Sequence, residues 1–565
     1  MTRAARIAFA TASALLPACI TAAQSPPASV PNIPGIPAAA QQAAASIDSE
    51  KIRAHVRFLA DDLLEGRGPG TRGGDIAAQY IATQFMLDGL KPAGDNGTFV
   101  QKVPLMAVHT VDDQTTASVT PTNGTPIDLK YGEDWVTKDE TGGETADINA
   151  PIVFVGYGID APEYHWNDFD GLDVKGKMLL VVVNEPPSNS DKFFKGKALT
   201  YYGRWTYKYE EAARLGAIGV LIIHRTDLAS YGWEVVRNSQ STEKSYLQND
   251  PLSTLKAASW IQHDVADKLL QGAGYGGVDQ AIDAAGKPGF HGTELAARFK
   301  AHIVSKVRKY DSDNVVAVLP GAQATAGHDQ AVIYSAHYDH LGIDPSLPGD
   351  KIYNGAADNG SGCGILLELA RAFAQSAERP PHSIYFAAVT AEEQGLLGSE
   401  YLGAHPPIPA GQIALDLNYD MLMPIGIPTA AEVAGAERTS FYPTVEKTAK
   451  AFDLTLQPDQ FPGAGHYYRS DHFSFARVGI PSFSIGQGTL FEGHPPEWGT
   501  EQAKDFVAHH YHQPSDEYRE DSDFRGDAKM ARFGFILGWE ASAAPATVGW
   551  QRGDEFEAPR KASLK

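Results

Sequence analysis

In the carboxyl-terminal half of the chain, residue types that bind metals or move protons stand where apolar runs stop. His337 follows AVIYSA, Glu392 and Glu393 follow SIYFAAVTA, and Asp420 follows ALDLNY. Asp358 lies in the glycine-rich turn NGAADNGSGCG ahead of an apolar helix, and His512 lies in HHYHQPSDEY. A pair of acids such as Glu392 and Glu393, taken alone, marks a solvated helix start, where negative charge meets the positive end of the helix dipole. Here the pair joins two histidines and further carboxylates, which together are a ligand supply for two divalent cations. Buried acids without cations repel one another and take up protons, because desolvation and like charge both raise a carboxylate pKa. Two dications bring +4 against −3 from Asp358, Glu393 and Asp420. Surplus positive charge acidifies a bound water, from 15.7 toward about 7 on zinc. Imidazole with carboxylate suits zinc, with manganese or cobalt as alternatives and calcium disfavoured.

The elements that must position these residues are legible around them. NVVAVLPG, AVIYSAH, SIYFAAVT, ALDLNYDM and IPSFSIG are short apolar strands, each followed by a helix or polar loop. Strands buried on both faces predict an α/β fold, a largely parallel mixed sheet sandwiched by helices, with ligands bound beyond the carboxyl ends of the strands. SEKIRAHVRFLADDLLEGR and GGDIAAQYIATQFMLDGL carry apolar residues at helical spacing and predict outer helices. Between 131 and 298 the texture is β-rich, with APIVFVGYGI, GKMLLVVV and EEAARLGAIGVLIIHR, and holds no ligand-like cluster. His165, His224 and His263 there are expected to be structural.

The start of the chain, MTRAARIAFATASALLPACITAAQ, has Arg3 and Arg6 ahead of a short apolar run and small residues, the pattern of a secretory signal peptide. Cleavage after Ala23 predicts a periplasmic or extracellular protein, with lipid attachment at Cys19 as the alternative. Residues 24–47, rich in Pro and Ala, predict an exposed linker, with order beginning near Asp48. Only Cys19 and Cys363 are present, so an exported chain relies on core burial rather than disulfides. No other apolar run approaches the ~20 residues of a membrane helix, which predicts no stable membrane insertion. The net charge of −22, from 47 basic and 69 acidic residues, argues against sequence-independent nucleic-acid binding.

The series AHYDH, AADNGSG, AEEQGLLGS, NYDM, YYRSDHFSFARVGIP and YHQPSDE, in that order, resembles the co-catalytic dizinc aminopeptidase family. Its wider clan includes glutamate carboxypeptidase, the transferrin receptor and glutaminyl cyclase. The resemblance spans about 48–130 and 299–540 and implies the zinc-peptidase fold. It implies that His337 and Asp420 hold one zinc, Glu393 and His512 the other, and that Asp358 bridges them, with a cis peptide after Asp358. Asp339 would orient the His337 imidazole. Glu392 would act as general base, moving a proton from the bridging water to the leaving amine, and Tyr511 would steady the oxyanion. Arg469 matches a substrate-proximal position in some members or forms a structural salt bridge. His340, His466, His472, His509 and His510 are read as non-ligands, Asp471 as a structural acid and Cys363 as a packed side chain. The stretch 131–298 resembles a protease-associated (PA) domain inserted between peptidase segments 48–130 and 299–545, with 546–565 as a tail.

These readings converge on an exported metal-dependent aminopeptidase acting on peptide substrates. A carboxypeptidase or dipeptidase of the same family would need arginines facing a substrate carboxylate, and no Arg cluster adjoins the motifs. A non-enzymatic, receptor-like relative would have lost ligands, and here the full set is present.

Overall fold

The computed structural model describes residues 30–565 apart from 123–124, 191, 230, 326–328 and 460–461. The expected leader, 1–23, and Cys19 lie outside the described residues. The first ordered element corrects the expectation of an exposed linker. Helix α1 (Ala38–Ala45) is followed by α2 (Ser49–Leu59), and Ile33, Ile36, Ala40, Ala44 and Ile47 are buried. Small alanine faces let α1 lie close against two later helices, so the composition that reads as a flexible linker is also that of a tightly packed helix. Asp48 caps α2 by accepting a hydrogen bond from the Glu50 amide, and Thr71 caps α3 (Arg72–Leu87) through Gly74.

Ten strands then build two joined sheets. β1 (Val100–Thr110), β2 (Thr116–Pro121), β3 (Ile127–Leu129), β4 (Trp135–Lys138), β5 (Thr145–Phe154) and β6 (Met178–Val182) come first. Helix α4 (Trp205–Arg214) leads to β7 (Gly219–Ile223), β8 (Lys244–Leu247), β9 (Ala257–Ile261) and the long β10 (Thr293–Leu319). β5, β6, β7 and β9 lie parallel side by side, with β4 antiparallel at the edge. This second sheet has hydrophobic cores of its own around Phe154, Leu180 and Leu221 on one face and Val181, Val220 and Trp260 on the other. Strands β2 and β3, which precede residue 131, pair within it as well.

The site-bearing sheet follows. It contains β11 (Ala331–His337), α5 (Gly362–Gln375), β12 (Ile384–Val389), α6 (Leu397–Ala404), β13 (Ile413–Asn418), α7 (His472–Arg477) and β14 (Ser482–Ser484). Helices α8 (Trp498–His509) and α9 (Arg525–Ser542) complete it. The strand order β14-β13-β11-β12 is all parallel, and β10 closes the sheet antiparallel to β12, so the sheet is mixed. Helices α1, α5 and α9 pack together over one face. β10 belongs to both sheets: its residues 293–304 pair with β5, 305–315 with β1 and 315–319 with β12. Its burial alternates in the first part and becomes nearly continuous in the last, as expected where a strand passes from a half-covered to a fully covered sheet. Among the described residues no helix is long and apolar enough to cross a membrane.

Candidate metal centre

Parallel strands end on one edge of the sheet, and the side chains singled out above gather there. His337 closes β11, Glu392 and Glu393 follow β12, Asp420 follows β13, Asp358 sits in the turn before α5, and His512 lies in the loop after α8. His337 Nε2 lies 3.3 Å from Asp420 Oδ1 and 3.4 Å from Asp358 Oδ1. His512 Nε2 lies 3.3 Å from Asp358 Oδ2 and 3.1 Å from Glu393 Oε2. The two oxygens of Asp358 thus face different halves of the cluster. The chain turns sharply after β12, β13 and α8: Ala391 (φ 55°), Met421 (φ 54°) and His512 (φ 55°) are non-glycine residues in the left-handed region. Each costs of order 1 kcal/mol or more and persists where the surrounding structure over-determines it.

Neighbouring groups fix these turns. Asp516 accepts hydrogen bonds from the amides of Ala357 at 2.9 Å and Asp358 at 3.0 Å, so the loop that carries His512 also pins Asp358. The peptide bond after Asp358 is cis. Arg67 is fully buried and donates to the carbonyls of Tyr338, Leu59, Asn354 and Gly355, tying α2 to the loops on either side of the cluster. No sequence signal marked Arg67, because its partners are backbone carbonyls, three of the four more than 270 residues away in the chain.

Asp339 is buried next to His337, and its backbone carbonyl lies closer to the ring than its carboxylate does. His337 Nδ1 donates to the Asp339 backbone carbonyl at 3.2 Å, whereas the carboxylate is 3.9 Å away. That carboxylate instead accepts from the Glu392 amide at 3.1 Å. The bond to the carbonyl still leaves Nε2 of His337 free to bind a metal. His340, read from the sequence as a non-ligand, stands inside the cluster: its Nδ1 is 2.6 Å from Glu393 Oε1. Its Nε2 is buried without a partner. The potential ligand atoms form two compact groups, His337 with Asp358 and Asp420, and His340 with Asp358 and Glu393. The signal for His340 was its place three residues after His337 in the same strand-end loop.

The electrostatics fit cations. Burial alone would strip the imidazoles of protons, but Glu392, Asp420 and Asp358 overcome it and hold His337 well above its usual pKa. Burial is likewise outweighed at His512, where hydrogen bonds to Asp358 and Glu393 push it up to about 10. Imidazolium protons thereby stand in for the positive charge that the carboxylates demand. Nitrogen and carboxylate donors grouped around a shared Asp358 fit two zinc-type ions, with protons released on binding. Glu392 is partly buried, with its carboxylate 4.0 Å from His337, and belongs to neither group of ligand atoms. Burial first, then Glu393 and Asp420, raise its pKa well above the ordinary carboxyl value. Tyr511 stacks on His512 with ring centroids 3.9 Å apart. Burial and the charges of Asp358 and Glu393 raise its pKa, which keeps the hydroxyl a neutral donor.

Glu392, Glu393, Asp420 and Tyr511 open into a cavity of about 770 Å³ that is also lined by Arg204 and Tyr209, at and within α4, and by Lys244 on β8. Arg477 ties α4 to α6 by pairing with Glu210 at 2.9 Å and Glu400 at 3.4 Å.

Known proteins resemble this chain over part of its length. It is 33% identical over 157 residues to leupeptin-inactivating enzyme 1 of Streptomyces exfoliatus, covering 26% of this chain and 34% of that protein. It is 31% identical over 180 residues to a probable leucine aminopeptidase 2 of Aspergillus oryzae, covering 30% and 35%. The chain therefore spans about a third of the length of these curated relatives. A solved aminopeptidase from Aneurinibacillus sp. strain AM-1 is 18% identical over 89% of this chain and 96% of that one, with a TM-score of 0.46. The segment that holds His337, Asp358, Glu392, Glu393, Asp420, Tyr511 and His512, residues 314–532, matches the model of peptidase family M28.

Proposed function

We propose that the chain is an exported metal-dependent aminopeptidase that removes N-terminal residues from peptides. The observation that carries this reading is the sharing of Asp358 between two groups of ligand atoms, with Glu392 beside them in one open cavity. His337 and Asp420 would hold one ion, and Glu393 with His512 the other, with His340 as a further donor on that side. Zinc fits the donors, with manganese or cobalt as alternatives. When bound, such ions lower the pKa of water and polarise a carbonyl.

The protein's own groups do the rest. Glu392, close to the ligands but outside their groups, accepts the proton that water gives up on adding to the scissile carbonyl and delivers it to the leaving amine. The Tyr511 hydroxyl donates to the oxygen that gains charge in the transition state. Asp339 holds the Glu392 amide and, through its backbone carbonyl, the His337 ring. The segment 131–298, read as a PA-type module between peptidase segments 48–130 and 299–545, contributes Arg204, Tyr209 and Lys244 to the cavity lining. Export rests on the leader-like residues 1–23, with lipidation at Cys19 as its alternative.

The test compares Glu392→Gln with wild type on free-amine aminoacyl substrates, N-blocked versions and C-terminal reporters, each with zinc or chelator. Glu392→Gln is expected to retain both metals and lose about 10²–10⁴-fold in kcat. Retained turnover refutes the base, preference for blocked peptides refutes the aminopeptidase reading, and chelator-insensitive turnover refutes the metal.

A further inference from the structure

The last stretch of the chain, 546–565, reads in sequence as a tail, yet Trp550, Phe556 and Arg560 are buried. Trp550 Nε1 donates to the Gly479 carbonyl at 3.2 Å, and the Arg560 guanidinium donates to the carbonyls of Ala410 and Val548, both at 3.2 Å. Between these anchors Asp554 and Glu555 meet three separate parts of the molecule. Arg438 takes both carboxylates: its Nε and Nη2 donate to Asp554 at 2.9 Å each, and Nη2 also donates to Glu555 at 2.6 Å. The same guanidinium lies over the rings of Tyr467 at 4.4 Å and Phe556 at 4.8 Å. Lys195 Nζ stands 3.7 Å from Asp554 and 3.8 Å from Glu555. Tyr468 donates its hydroxyl to Glu555 at 2.7 Å. Two cations and two carboxylates thus balance in one largely buried cluster, an arrangement in which removing one member leaves another uncompensated.

The partners of these carboxylates lead to the cavity. Tyr468 lines it together with Arg469 and Ser470, and the far end of that turn is held where Asn418, the last residue of β13, donates to Ser470 Oγ at 2.8 Å. Arg438 backs the same turn through the Tyr467 ring. Lys195 belongs to the segment that runs into α4: the Leu199 amide donates to the Pro462 carbonyl at 3.0 Å, and Arg204 and Tyr209 further along line the cavity. Asp554 and Glu555 therefore sit behind two pieces of the cavity lining and belong to neither group of metal-ligand atoms. We propose that Asp554 and Glu555 are positioning residues for substrate binding: through Arg438, Lys195 and Tyr468 they hold the 466–470 turn against the segment leading into α4, and so fix the shape of the cavity that receives the peptide. Resting on the aminopeptidase reading above, this gives the end of the chain a part in how tightly peptides bind and none in the bond-breaking step. It was invisible in sequence because the acids of GDEFE read as a solvated face and their partners lie at least 87 residues away.

The test measures kcat and KM of zinc-loaded wild type, Glu555→Ala, Glu555→Gln, Tyr468→Phe and the double variant Glu555→Ala/Tyr468→Phe, on Leu-p-nitroanilide and Leu-Gly-Gly. Glu555→Ala should raise KM about tenfold for at least one substrate, the scale of a hydrogen bond to a charged group, with kcat kept within about twofold and zinc content unchanged. Glu555→Gln, which keeps an acceptor for the Tyr468 hydroxyl, should fall between Glu555→Ala and wild type. Tyr468→Phe should also raise KM, and the double variant should be no worse than Glu555→Ala, because residues acting through one contact are not additive. A lowered melting temperature with KM unchanged in Glu555→Ala overturns the proposal, as do a loss confined to kcat and additive effects in the double variant. If Glu555→Ala does not fold, Glu555→Gln and Tyr468→Phe carry the same comparison. If zinc-loaded wild type cleaves neither substrate, the aminopeptidase reading fails by itself, and hydrogen exchange decides the positioning role. Glu555→Ala should then speed exchange in 199–209 and 462–470 and leave 391–397 as in wild type, whereas unchanged exchange, or faster exchange throughout the chain, overturns it.

Discussion

His340 and Asp339 show where residue-level reading stops. The loop AHYDH places three polar side chains at a strand end, and sequence alone ranks His337 first because it ends the apolar run. The rotation of the loop, which brings His340 rather than the Asp339 carboxylate to the ligands, depends on Arg67 and on the Glu392 amide. Buried polar residues elsewhere divide in the same way, into those with partners and those without. Asp527, near the start of α9, is fully buried with both carboxylate oxygens unpaired, and burial raises its pKa well above the ordinary value. The folded state then prefers the protonated acid while the unfolded state ionises near pH 4. Stability should therefore fall as pH climbs from about 4 toward the raised value, by about 1.4 kcal/mol per pH unit. Asp527→Asn removes that ionisation. Urea unfolding should find the variant more stable than wild type at pH 8 and the advantage gone by about pH 4.

At the scale of elements, the ligand-bearing loops are rigid because their ends are tied. The side chain of Asn314, on β10, donates to the Gly398 carbonyl at 2.8 Å and accepts from the Thr390 amide at 3.0 Å, closing the loop that contains Glu392 and Glu393. Gly398 packs so closely there that an added Cβ would collide with the Thr390 carbonyl and the Asn314 amide. Gly398→Ala should destabilise the fold by about 1–3 kcal/mol, the usual range for overpacking. It should also weaken zinc binding at the Glu393 half of the cluster more than at the Asp420 half. Calorimetric zinc titration checks this, and two unchanged affinities would contradict it. The strand ends themselves were legible, since a ligand type directly after a buried run is a local pattern. Helix α1 was not, because alanine-rich sequence carries little periodic contrast and its burial comes from later helices.

At the scale of the whole molecule, the two large sheets share one strand, β10. β10 couples the sheet that bears the ligands to the second sheet, and the Arg477 ion pairs tie α4 to α6. From the sequence the two textures were plain, but not their facing, because the cavity is made by contacts between remote segments. Bound ions should stabilise the whole assembly, since they bind only the gathered cluster: free zinc at a hundred times its Kd adds about 2.7 kcal/mol. The number of zinc ions bound per chain, read by native mass spectrometry on chelated and reloaded protein, tests the shared cluster most directly. Wild type should take up two, and Asp358→Asn should lose both together rather than one. A wild type that binds no more than one ion, or an Asp358→Asn chain that keeps two, would contradict a centre built around that aspartate.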